Sequence, residues 1–80
     1  MVKEADAAKV QDCREELCPI PIIHIAKAIK EVGVGDILLM LATDPGAEPD
    51  MAAWSRNTGH EIVQQSVEDK VYKFWVRRVK

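Results

Sequence analysis

Leu17-Cys18-Pro19-Ile20-Pro21 is the stretch whose reading decides how this chain folds. Beyond it, Ile22, Ile25, Ala26, Ile29 and Val32 recur at helical spacing, while His24, Lys27, Lys30 and Glu31 fall on other faces. Proline is tolerated in the first turn of a helix, where amide hydrogens have no partner and its fixed φ already suits the geometry. Pro19 and Pro21 therefore mark the start of an amphipathic helix rather than a break in one. Cys18 then falls at or near the N-cap, where free amides and the positive end of the helix dipole favour a thiolate over a thiol. The plain alternative is a small buried hydrophobe, the commonest fate of a free cysteine.

Upstream, residues 1–7 alternate charged and small side chains and read as a frayed start. Residues 8–13 form a short candidate strand with Val10 as its clearest core residue, and residues 14–17 are the loop that delivers Cys18 to the helix. Downstream, the helix is expected to stop near Gly33, because Gly33-Val34-Gly35-Asp36 offers two residues able to take left-handed φ. Residues 37–42, Ile-Leu-Leu-Met-Leu-Ala, are a continuous apolar run of strand length and predict a central strand buried on both faces.

Asp44-Pro45-Gly46 is a turn, and residues 47–58 predict a second helix with Pro49 in its opening turn, Met51 and Trp54 facing inward and Gly59 past its end. Asp44 either caps that helix or lies close to the mouth of the first. Residues 60–67 and 71–79 predict an antiparallel hairpin joined at Glu68-Asp69-Lys70. In the last strand Tyr72, Phe74 and Val76 share one face and Val71, Lys73, Trp75 and Arg77 the other, the alternation of an edge or one-sided strand. The order is βαβαββ. A right-handed crossover makes the first two strands parallel, and the expected product is an α/β (α+β) two-layer sandwich: a four-stranded mixed sheet with two helices on one face.

Eighty residues with 48% hydrophobic content make a single domain with one core and no room for an enclosed substrate chamber, so chemistry is expected at the surface. A formal net charge of -2 gives no general attraction for nucleic-acid phosphates. Arg14, Lys27 and Lys30 offer a basic rim or simply a solvated face, as do Arg77, Arg78 and Lys80. No apolar run reaches the roughly 20 residues of a membrane span, and the start has no signal-peptide core. A cytoplasmic location is the expectation. Thiols are kept reduced there, so two cysteines argue for chemistry or packing rather than a disulfide framework.

Asp12, then Cys18-Pro19-Ile20-Pro21, Thr43-Asp44-Pro45-Gly46-Ala47-Glu48, Ala53-Trp54 and Thr58-Gly59-His60-Glu61 closely resemble the TusA/SirA-like sulfur-carrier family, from about residue 10 to residue 78. The resemblance implies that the cysteine of the Cys-Pro-x-Pro motif carries a persulfide sulfur. That sulfur comes from a donor such as a cysteine desulfurase or rhodanese and passes to an acceptor in tRNA thiolation, cofactor synthesis or sulfur oxidation. On this chain Cys18 would be acceptor and donor, Pro19 and Pro21 would set the helix start, and Asp12 and Asp44 would be structural. No cofactor other than the covalent persulfide is implied, and the partners are a donor and an acceptor protein, with no nucleic acid or membrane. The family usually has glycine three residues before the motif cysteine, where this chain has Glu15 followed by Glu16. That departure suggests another backbone path, and two acids that oppose thiolate formation, with Arg14 as a partial offset.

Three further readings of the same residues stay open. Cys13 and Cys18 could form a thiol redox switch, provided their Cα atoms come within about 7 Å; a buried Cys13 would argue against it. A regulatory interaction module could present Trp54 and Trp75, although core packing is the commoner use of tryptophan. Metal binding by Cys13, Cys18, His24 and His60 lacks paired ligand spacing, so no metal is expected. His24 could serve the thiolate as an acid or be a solvated helix residue, and His60 reads as a strand start.

Overall fold

The computed structural model describes residues 6–17 and 20–80. Cys18 and Pro19, and with them the expected N-cap, lie outside the described residues, as does most of the expected frayed start. The elements are β1 (Lys9–Cys13), α1 (Ile20–Ala28) with a 3-10 turn (Ile29–Glu31), β2 (Ile37–Ala42), α2 (Ala47–Thr58), β3 (Glu61–Glu68) and β4 (Val71–Arg77). This is the βαβαββ order, in one four-stranded mixed sheet.

The sheet runs β1-β2-β4-β3. β1 and β2 are parallel, with Lys9 opposite Leu38 and Cys13 opposite Ala42, whereas β4 is antiparallel to both β2 and β3. Because side chains alternate along a strand, this register places Cys13, Leu38, Met40, Ala42, Phe74 and Val76 on one face. They form a single core with Ile25, Ala28, Ile29 and Val32 of the first helical segment and Ala47, Met51 and Trp54 of α2. Both helices therefore cover that face. Ile22 and Ala26 of the predicted stripe are only half-buried, and Ala28 and Pro21 take inward positions instead.

β4 is not an edge strand. It lies between β2 and β3, and the edges fall to β1 and β3. The parallel crossover uses one flank of β2 and leaves the other for the hairpin, whose second strand docks there with Leu39 opposite Trp75. The polar alternation of Lys73 and Arg77 marks the uncovered face, on which Leu39 and Trp75 are nevertheless 1% and 4% exposed. Both tryptophans thus pack within the fold, as expected of so small a chain.

Two turns carry the chirality of the connections. The hairpin closes through Asp69 and Lys70 at φ 49 and 67, the pair of left-handed residues that a two-residue turn needs to match strand twist. Gly59 (φ 83) ends α2 in the left-handed region and donates its N–H to Ser55 O. The first helix ends differently from the expectation. It tightens into the 3-10 turn and leaves through extended Val32 (φ -102), and of Gly33 and Gly35 only Gly35 has positive φ. Arg78 explains why no glycine cap is required. Its guanidinium donates to the carbonyls of Lys30 and Val32, the orphan acceptors at that helix end. Of the C-terminal basic cluster, Arg77 is also engaged, pairing with Glu61 across the hairpin.

Candidate functional site

β1 ends at Cys13, and the next residues reverse direction under three constraints. The Asp12 carboxylate accepts from the Arg14 backbone N–H at 3.0 Å and from its guanidinium at 2.9 and 2.8 Å. These bonds to Arg14 hold the Asp12 carboxyl down at about 2. Glu16 donates its N–H to Cys13 O, and Glu15 donates its N–H to Thr43 Oγ1 at 2.7 Å. The loop before the motif is thereby tied both to itself and to the end of β2.

Arg14 is consequently committed to Asp12 rather than free to offset the acids near the motif. Asp12 in turn spends both carboxylate oxygens on Arg14. Asp44 has a similar duty: its Oδ1 accepts from Gly46 N–H and its carbonyl from Ala47 N–H, which shapes the turn into α2. Thr43 was not among the expected residues. The parallel pairing of Cys13 with Ala42 signals it, because the residue after each strand end then lies beside its counterpart.

Glu15 has φ 69. This is the region glycine enters freely, so glutamate stands here in a strained conformation. A left-handed conformation costs an L-residue about 1 to 2 kcal/mol, of which glycine's greater chain entropy returns part. Glu15→Gly should therefore stabilise the fold by about 0.5 to 1 kcal/mol and raise the melting temperature by a few degrees. Calorimetry checks this, and a fall in melting temperature would show that the Glu15 side chain stabilises the loop.

The same turn folds Glu16 back over the start of α1. His24 Nδ1 lies 2.9 Å from Glu16 Oε1 and 3.8 Å from Cys13 Sγ. A carboxylate only accepts, so Nδ1 carries the proton it receives. His24 is thus half-buried in a polar triad and not the solvated helix residue that its spacing allowed. Cys13 is fully buried, and burial together with the Glu16 carboxylate pushes its thiol up to about 12. It is a neutral thiol near pH 7.

An unfolded cysteine ionises near 8.5, well below folded Cys13. Its contribution to stability is intact below that value and is lost as pH rises from about 9 toward 12, because the unfolded chain gives up its proton first. Cys13→Ala should flatten the alkaline limb of a melting-temperature profile. Wild-type Cys13 should resist iodoacetamide at pH 8 until the chain is unfolded, as peptide mass spectrometry would show.

The residues bracketing Cys18 in sequence are apolar and exposed. Leu17 is 73% accessible, Ile20 39% and Ile23 52%, with Ile20 and Ile23 one turn apart on α1. Leu17 O accepts the Ile20 N–H at 2.9 Å. Asp12, Arg14, Glu15, Glu16 and Thr43 line an open polar hollow of about 470 Å³. The site therefore joins an aliphatic collar to a polar groove. His60 lies apart from it: it stacks against Trp54, accepts from Val79 N–H, and is held below its ordinary pKa by burial and by Arg78 and Lys80.

The family described as sulfurtransferase TusA matches residues 9–78. The chain is 41% identical over 70 residues to YrkI of Bacillus subtilis, a proposed sulfur carrier protein, covering 88% of this chain and 93% of that one. It is 32% identical over 69 residues to the sulfur carrier protein TusA of Buchnera aphidicola, covering 86% and 87% respectively. Among solved structures, a SirA-like protein from Desulfitobacterium hafniense superposes with a TM-score of 0.78 at 20% identity, over 90% of this chain and 99% of that one. That likeness establishes the shared two-layer fold.

Proposed function

Because the chain belongs to the TusA family of sulfurtransferases and sulfur carriers, we propose that Cys18 is the atom-carrying residue of a persulfide relay between a donor and an acceptor protein. The Cys18 thiolate attacks the outer sulfur of a donor Cys–S–SH. The donor S–S bond breaks, the donor leaves as thiolate, and the sulfur with its proton becomes Cys18–S–SH. An acceptor thiolate then repeats the displacement on Cys18. No net oxidation occurs and no cofactor is consumed.

The observation that carries this reading is the exposed collar of Leu17, Ile20 and Ile23 beside the motif. A relay needs a docking surface more than a pocket, and aliphatic side chains left in water at the reacting end of a helix suit transient protein contact. α1 begins at Ile20, just past Cys18 in the chain, and a helix N-terminus favours a thiolate by about 0.3 to 1 kcal/mol. Cys13, by contrast, is a buried neutral thiol and a poor attacking group. This favours the carrier over a Cys13/Cys18 redox switch. Donors of the cysteine desulfurase or rhodanese class, and acceptors in tRNA thiolation, cofactor synthesis or sulfur oxidation, fit the reading. Among the described residues no helix is long and apolar enough to cross a membrane.

The test is peptide-resolved mass spectrometry of the reduced chain after incubation with a persulfide-loaded cysteine desulfurase, thiosulfate-rhodanese or polysulfide. A single added sulfur on the Cys18 peptide, removed by dithiothreitol, is expected. Addition to Cys13 alone, or none with any of the three while Cys18 remains alkylatable, rejects the relay. The collar makes its own prediction. Ile23→Asp should leave the fold intact, because Ile23 is half exposed, and slow transfer from a protein donor about tenfold. Loading from polysulfide should be unchanged.

A further inference from the structure

We propose that Cys13, Glu16 and His24 form a three-ligand site for a divalent cation of the zinc class, with one coordination position left open. The three come from separate places, the end of β1, the strained loop and the second turn of α1, yet their ligand atoms all lie within 4.8 Å of one another. Thiolate sulfur, imidazole nitrogen and carboxylate oxygen are the donor set zinc takes, and three protein ligands plus an open position is the arrangement of non-structural zinc sites.

Geometry supports the assignment. Tetrahedral bonds of about 2.3 Å to sulfur and 2.0 Å to nitrogen or oxygen separate S from N by about 3.6 Å and N from O by about 3.3 Å. The observed separations are 3.8 and 2.9 Å. Those two edges need shifts of a few tenths of an ångström, and the third, sulfur to carboxylate oxygen, lies within 4.8 Å and closes toward about 3.6 Å by rotation of the Glu16 side chain. The charges also balance: one thiolate, one carboxylate and a neutral imidazole neutralise a divalent cation, which makes a half-buried position tolerable for it. On binding, the Cys13 thiol proton leaves to solvent and the imidazole proton resides on Nε2, freeing Nδ1 as ligand.

The surroundings are built for such a ligand set. The loop that presents Glu16 is fastened by Asp12–Arg14, by Glu16 N–H to Cys13 O and by Glu15 N–H to Thr43, none of which uses the ligating atoms. The ion would pin β1, the loop and α1 together immediately before the motif. This inference does not use Cys18, so it stands or falls separately from the relay.

Anaerobic titration of the reduced full chain with Co²⁺, followed by displacement with Zn²⁺, tests it. The expected result is one equivalent bound with a thiolate-to-cobalt charge-transfer band, unchanged in Cys18→Ser and absent in Cys13→Ser. Binding should be at least tenfold weaker in Glu16→Gln and His24→Ala. Far-UV circular dichroism monitors the fold, and should Cys13→Ser not fold, His24→Ala decides: weakened binding supports the site and unchanged binding overturns it. Absence of the band in wild type, or its loss in Cys18→Ser with retention in Cys13→Ser, also overturns it.

Discussion

Cys18→Ala should take up no sulfur from a persulfide donor and pass none to a thiol acceptor, while circular dichroism and melting temperature stay at wild-type values. The chemistry requires a sulfur atom that can be attacked and released, and no neighbouring side chain can replace it. Cys13 cannot, since it is fully buried and its thiol is pushed up to about 12. Cys13→Ala should accordingly retain uptake, with a modest loss of stability from the small cavity it leaves. The paired variants, assayed by intact mass and by sulfur transfer to an acceptor, separate the two thiols. Uptake that survives Cys18→Ala would end the relay reading, and loss on Cys13→Ala in a folded protein would revive a two-cysteine mechanism.

Phe74→Ala should unfold the chain or bring it to the edge of unfolding. Phe74 is the largest fully buried side chain, on a strand with neighbours on both sides, beside Met40 and facing both helices. Phenylalanine truncation in such a core costs about 3 to 5 kcal/mol, through lost transfer energy and the cavity left behind. A domain of this size has about 4 to 12 kcal/mol in total, so the midpoint in urea or heat should fall steeply, by some tens of degrees. Truncating Ile23, which is half exposed, is the control and should move the midpoint little. A Phe74→Ala protein that melts within a few degrees of wild type would mean that the interface between sheet and helices is not what holds the fold.

Much of the frame is legible from local pattern, because each signal comes from residues close in the chain. The apolar run 37–42 is β2 with its predicted bounds, and residues 47–58 form α2 with Gly59 as its left-handed end. Asp69 and Lys70 turn the hairpin where the charged interruption predicts. The first helical segment stops next to Gly33, as predicted, but its cap is decided at a distance. Glycine is the usual local solution, but here the carbonyls are satisfied by Arg78, far along the chain. Of the two readings of β4, edge or one-sided strand, the second holds, since alternation reports which face is covered and not which strands flank it.

The sequence by itself determined the βαβαββ order, the helix that follows the Cys-Pro-x-Pro motif and the family to which these belong. Periodicity, proline and glycine placement and short motifs are properties of contiguous residues, and they suffice for that. Tertiary structure alone decided that Glu15 takes the strained conformation, that Arg14 belongs to Asp12, and that Cys13, Glu16 and His24 meet. Those outcomes depend on the parallel register of β1 with β2 and on the packing of α1 against that sheet edge. A side chain finds its partner by reach in space, and only the assembled core sets that distance.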